Sequence, residues 1–185
     1  LCKAFRAARK SGRIFVVDIY TAWVLQVLSE HFETTPHFSL DDIRVLAHGK
    51  TAQNHYLKIR GNTAFADFVN EIYDSNNVIT ESRIAENPGR YFIKNNRIDV
   101  LLKNLNPQTC SIIYSQWSGY LEEKYNPKGY WKLTALRDDP RVSFHQIHTS
   151  GHAFKKDLKR YVDAMGPKLL VPIHTERGDE YEEHF

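Results

Sequence analysis

Apolar residues recur at helical spacing in some stretches of this chain and run continuously in others, and the two patterns alternate. Residues 3–9 have helical spacing, and Lys10-Ser11-Gly12 closes that helix with a glycine stop. Residues 13–19, Arg-Ile-Phe-Val-Val-Asp-Ile, form a short apolar run that predicts a buried strand. From residue 20 to 32 the positions Trp23, Val24, Val27, Leu28 and Phe32 return to helical spacing. Residues 42–47 predict a second strand. A helix-turn-helix region follows over about 52–73, split near Gly61, with Phe65, Phe68, Val69 and Ile72 on one face. Residues 91–93 predict a brief strand, and Asn96 caps a helix that runs through Val100 and Leu101.

The second half follows the same alternation. Residues 109–117 predict a strong strand. A mixed segment over 119–137 holds a helix and a Pro127-Lys128-Gly129 turn. Then come a strand at 142–148, a helix at 154–165, a buried strand at 168–173 and the start of a helix at 179–185. Continuous apolar strands outnumber alternating ones, which is the signature of a parallel sheet covered on both faces. The expected fold class is α/β, with a Rossmann-like, mostly parallel sheet flanked by helices. The expected internal seam is the polar, proline-ended connector Leu136-Arg137-Asp138-Asp139-Pro140.

Composition narrows the class. A chain of 185 residues that is 42% hydrophobic and 25% charged can bury a core. A net charge of +3 permits an anionic partner without demanding one. Cys2 and Cys110 form no CxxC pair, so a thiolate zinc site is excluded. Cys110 opens an apolar run and is expected to be a small buried hydrophobe. With no disulfide framework, a reducing compartment is favoured and the expected location is cytoplasmic. No apolar run approaches the ~20 residues of a membrane span, so no membrane partner is expected. Leu1 opens in what resembles the middle of a helix, and the chain is expected to be a piece of a longer protein.

The chemistry concentrates late in the sequence. Ile147-His148-Thr149-Ser150-Gly151-His152-Ala153 and, further on, Pro172-Ile173-His174-Thr175 spell strand, turn, helix, strand, with a histidine at the mouth of each strand. His152 and His174 are 22 residues apart, which suits two parallel neighbours presenting both imidazoles at one sheet edge. Such an edge can hold a metal or move a proton. Gly151 lets the backbone approach a ligand or take a positive φ. Ser150 either caps the helix or donates to a phosphate at its N-terminus. His152 alone reads equally as a surface imidazole. His148 has a supporting role in view, and His145 less so. At the other strand end, Tyr114-Ser115-Gln116-Trp117-Ser118-Gly119-Tyr120 offers hydroxyls, an amide and aromatic faces of the kind that bind nucleotides, or an ordinary aromatic corner on the core. Asp18 and Tyr20 end the first strand and could line the same edge. The run Lys155-Lys156-Asp157-Leu158-Lys159-Arg160 is read as a solvated helix face.

These residues resemble a family. The strand-Ser150-Gly151-His152-Ala153-helix-strand-Pro172-Ile173-His174 pattern follows a strand ending Ser115-Gln116-Trp117-Ser118-Gly119-Tyr120. Together they look like the carboxyl-terminal half of the metallo-β-lactamase-fold nucleases that carry a β-CASP insert, a group that includes ribonuclease J and the cleavage and polyadenylation endonuclease. The opening Gly12-Arg13-Ile14-Phe15-Val16-Val17-Asp18 is similar to the strand just after that family's acidic motif. The resemblance spans most of the chain, closest over 147–176, partial over 112–121 and faint between 34 and 106. It implies a β-CASP domain at 1–138 and the C-terminal segment of a metallo-β-lactamase domain at 139–185.

The resemblance also implies roles. His152 would protonate the leaving oxygen and His174 would be a zinc ligand. Ser150, Gly151, Ser115, Trp117, Ser118 and Gly119 would line the RNA path, with His148 supporting them. The implied reaction is hydrolysis of RNA phosphodiesters by water held between two zinc ions. The family's HxHxDH cluster is absent from this sequence. The chain alone is therefore expected neither to hold a metal pair nor to cut RNA. The alternatives are a non-catalytic nucleic-acid-binding module and a DNA-directed nuclease of the same family. A Rossmann-like small-ligand domain is a further one, disfavoured because no GxGxxG follows the first strand. Apolar surface left bare by a partial fold is expected to drive association into a homo-oligomer.

Overall fold

In a computed structural model, the structure describes residues 1–47, 63–95, 101–102, 105, 110–148, 151, 153–173, 175 and 178–183. Helix α1 (Cys2–Lys10) ends at Ser11, and Gly12 turns the chain with φ +67° into strand β1 (Ile14–Asp18). Only glycine takes that backbone without strain. Helix α2 (Ile19–Ser29) starts at once, and β2 (Ile43–Leu46) follows. Then come α3 (Thr63–Asp74), β3 (Val78–Ile79), α4 (Glu81–Glu86) and β4 (Tyr91–Lys94). These strands form one parallel sheet in the order β3-β2-β1-β4, the doubly wound order. Phe15 lies opposite both Ile43 and Phe92.

The continuous apolar strands are explained by cover on both faces. Successive side chains of a strand point to opposite faces. Phe15 and Val17 of β1, with Ile43 and Val45 of β2, join Phe5, Ala8, Leu25, Phe38, Phe68 and Ile72 in one cluster under α1, α2 and α3. Val16 and Leu46 point the other way, to Ile79, Ile84, Leu101 and Leu105. Trp23 of α2 meets Phe65 edge-on at 5.7 Å between ring centroids and Phe68 at 5.1 Å, which locks α2 against α3, and Phe38 of the α2–β2 connection meets Phe68 at 5.3 Å. Cys110 is partly buried against the second cluster.

A second, two-stranded parallel sheet carries the later residues. It pairs β5 (Ser111–Tyr114) with β6 (Ser143–Gln146), Ile112 opposite Phe144 and Tyr114 opposite Gln146. Between them lie a 3-10 turn (Ser118–Leu121) and helix α5 (Tyr130–Arg137). One face of this pair is partly covered, where the Tyr114 and Phe144 rings stack at 6.0 Å. The other face, with Ser111, Ile113, Ser143 and His145, is exposed. The connector is held by local ion pairs, Arg137 with Asp138 at 2.8 Å and Arg141 with Asp139 at 2.7 Å. The last elements are α6 (Lys155–Met165), closed by Gly166 at φ +52°, and a 3-10 segment (Gly178–Glu183). The molecule is thus a mixed α/β fold of parallel sheets flanked by helices. No helix among the described residues is long and apolar enough to cross a membrane.

One expectation needs correction. Residues 168–173 form no strand, and their apolar side chains are exposed, with Leu169 and Ile173 each 78% accessible. A strand forms only beside a neighbour that takes up its N–H and C=O groups. Pro172 removes a donor within the run, and among the described residues no strand lies alongside. Helix α6 has Phe154 as its N-cap, with no side-chain cap hydrogen bond. The strands at 111–114 and 143–146 are also shorter than expected, which leaves Ser115 and His148 just beyond their ends. The first half of the expected helix-turn-helix and the Asn96 cap lie outside the described residues, while its second half is α3. The short elements β3 and α4 carry no long apolar period and were not expected; Thr80 caps α4 by accepting from the Arg83 N–H.

Candidate functional site

The carboxyl ends of β5 and β6 lie side by side because the two strands are parallel and in register. The Ile147 N–H donates to the Tyr114 carbonyl at 2.9 Å, which extends the ladder one step past the strand. His148 Nδ1 is 3.0 Å from the Ser115 carbonyl, so these two expected site residues are brought together. That contact fixes the imidazole to the opposite strand end with Nδ1–H as the donor. His145 is engaged elsewhere, with Nε2 2.9 Å from Ser143 Oγ.

The segment after β5 makes an aromatic corner. The Tyr114 hydroxyl donates to the Trp117 carbonyl at 3.3 Å. Burial, with neighbouring Tyr120 second, raises the Tyr114 phenol above its ordinary range. The Trp117 ring stands edge-on to Tyr120 at 5.6 Å and to Tyr125 at 4.7 Å. It also lies directly over Gly119, where an added Cβ would overlap the indole. Gly119 is thus needed for close approach, and this packing supports the aromatic-corner reading. Even so, Trp117, Tyr120 and Tyr125 each keep two-fifths or more of their surface exposed. They can stack on a base as well as on each other. Ser115 and Ser118 are exposed beside them.

Gly151 lies in an exposed bend. A Cβ there would meet nothing within 4 Å, which leaves the backbone open to close approach. Ser150, His152 and His174 lie outside the described residues.

Asp18 sits at the carboxyl edge of the larger sheet, at its switch point between β1 and β4. It is a structural group. Oδ1 accepts the Thr21 N–H at 2.7 Å as the cap of α2, and Oδ2 accepts from Lys94 Nζ at 3.1 Å. Lys94 also donates to the Thr21 hydroxyl at 2.8 Å. A carboxylate therefore occupies the helix N-terminus where a dinucleotide fold would place a phosphate. Lys94 was missed from the sequence. Its only signal there is a cation at the end of a strand.

Residues 140–185 match the family described as Zn-dependent metallo-hydrolase RNA specificity domain, RMMBL. The match supports the resemblance to a metallo-β-lactamase-family nuclease over this stretch. No curated protein and no solved structure matches the chain. The family description implies zinc. Catalytic zinc takes three protein ligands. Among the described residues no three His, Cys, Asp or Glu side chains come together to hold a metal, so these residues do not fit a zinc site on their own.

Proposed function

We propose that these 185 residues form the substrate-contacting part of a zinc-dependent hydrolase that cuts phosphodiester bonds in RNA. The observation that carries the reading is the family match at 140–185, which contains Gly151, His152 and His174. In this reading residues 1–138 are a β-CASP domain and 139–185 a C-terminal segment of a metallo-β-lactamase domain. His152 acts as general acid. As water adds to phosphorus and the bridging P–O bond breaks, the imidazolium gives its proton to the leaving ribose oxygen. His174 supplies one imidazole to a metal set, and the other ligands lie outside this chain. Gly151 and Ser150 line the phosphate path. Ser115, Trp117, Ser118 and Gly119 line the base path, with His148 tying the two strand ends together.

Self-association belongs to the same proposal. Phe154, Leu158, Tyr161 and Met165 repeat at helical spacing along α6 and are all exposed, beside the bare residues of 169–173. Sedimentation velocity reads this directly, and a monomer at tens of micromolar contradicts it.

A second reading is a module that binds nucleic acid without cutting it, through the exposed aromatic faces of Trp117, Tyr120 and Tyr125. The complete protein, incubated with end-labelled RNA and DNA oligonucleotides of one sequence, separates the readings. The nuclease reading expects RNA cut and DNA spared. Both cut points to a DNA-capable enzyme, and neither cut but RNA bound points to the binding module.

A further inference from the structure

The positive charge of this chain is concentrated at one end. Residues 1–13 carry Lys3, Arg6, Arg9, Lys10 and Arg13 and no Asp or Glu, whereas the whole chain has 25 Lys and Arg against 22 Asp and Glu. The other residues are therefore slightly acidic, 20 cations against 22 anions. The fold presents this block as a surface. Phe5 and Ala8 anchor α1 in the core, while Lys3, Arg6 and Lys10 are exposed. Their i, i+3, i+7 spacing puts them on one ridge. At 1.5 Å per residue that ridge is about 10 Å long, enough to face two or three successive phosphates of one strand.

Further cations stand at the amino edge of the sheet. Arg13 and Arg90 immediately precede the paired residues Ile14 and Tyr91, so they stand side by side at the amino edge of the sheet. Arg13 Nε donates to the Gly89 carbonyl at 3.1 Å, which orients the guanidinium without neutralising it. On its other flank α1 borders an open cleft of about 380 Å³. Phe5, Arg6, Arg9, Thr34, Thr35 and His37 line it, together with one carboxylate, Glu33. Asp42 holds Arg9 at 2.9 Å, but no ion pair engages Lys3, Arg6 or Lys10 among the described residues. His37 Nδ1 is occupied by Ser39, through the Ser39 N–H at 3.2 Å and its hydroxyl at 2.7 Å, which leaves Nε2–H free to donate.

We propose that the α1 ridge of Lys3, Arg6 and Lys10, with the cleft beside Arg6, is a second contact surface for the phosphate backbone of single-stranded RNA, separate from the strand ends near Trp117 and His148. This rests on the RNA-directed reading above. The surface makes no base-specific demand, so it holds the strand rather than selecting its sequence. Contacts of this kind release counterions and weaken steeply with salt.

The test is the triple variant K3A/R6A/K10A. All three side chains are exposed, and alanine favours helix, so the fold is expected to survive; an unchanged circular dichroism melt checks this. Binding of a fluorescein-labelled U15 RNA is followed by anisotropy between 50 and 200 mM salt. Three lost phosphate contacts should lower the slope of log K against log salt by about 2 and the affinity at 50 mM by tenfold or more. Equal affinity and slope in both proteins would overturn the α1 surface and leave the RNA reading standing. No binding by the unmutated chain at 50 mM would overturn both.

Discussion

Asp18 shows how one carboxylate can be read two ways until its partners are known. From its place at a strand end it is a candidate for chemistry, yet its two oxygens are taken by the Thr21 N–H and Lys94. Asp18→Ala should therefore cost about 0.5–2 kcal/mol in urea unfolding, the range for a lost N-cap. Asp18→Asn should cost less, because the amide oxygen still caps the helix; equal losses would assign the effect to the Lys94 pair. Asp139 gives a pH signature. Hydrogen bonds from the Arg141 guanidinium and then its backbone N–H lower the Asp139 carboxyl to about 2. A lowered folded value means stabilisation that is present above about pH 4, the unfolded value, and is lost as pH falls towards 2. Carboxyl ¹³C NMR should show Asp139 still ionised at pH 3, and Arg141→Ala should return its midpoint towards 4. Residue identity made Gly119 and Trp117 visible as a corner in the sequence. That the indole sits over the glycine was not visible, because it depends on the turn between them.

At the scale of elements, legibility followed the partner. The run at 14–18 is a strand because Ile43–Leu46 and Tyr91–Lys94 flank it and helices cover both faces. The run at 168–173 is equally apolar and is not a strand, since nothing among the described residues pairs with it. Hydrophobic pattern reports the wish to be buried and is silent on what buries it. The same limit hid β3 and α4, which are too short to show a period. Hydrogen exchange tests the correction. Amides within 168–173 should exchange within seconds at low micromolar protein, while those of β1 stay protected for minutes or longer. Slow exchange across 168–173 would restore the strand.

Across the whole molecule, the two halves differ in how complete they are. The four-stranded sheet has both faces covered and its edge carboxylate satisfied, so it supports itself. The β5–β6 pair, α6 and the segment to 183 leave an exposed sheet face and an exposed apolar stripe, and β6, α6 and that segment fall within residues 140–185, which match the Zn-dependent metallo-hydrolase RNA specificity domain. Fold class was legible because alternating helices and apolar strands constrain it strongly. The histidine pair was legible as residues, while its geometry lies outside the described residues. The measurement that bears most directly is RNA cleavage by the complete protein and by its His152→Ala and His174→Ala variants, with RNA affinity measured alongside. General-acid loss predicts cleavage reduced by about 10²–10⁴-fold in His152→Ala at unchanged RNA affinity, and His174→Ala should lose bound zinc along with activity. Undiminished cleavage by His152→Ala, or RNA binding without any cleavage by the unmutated protein, would contradict the account.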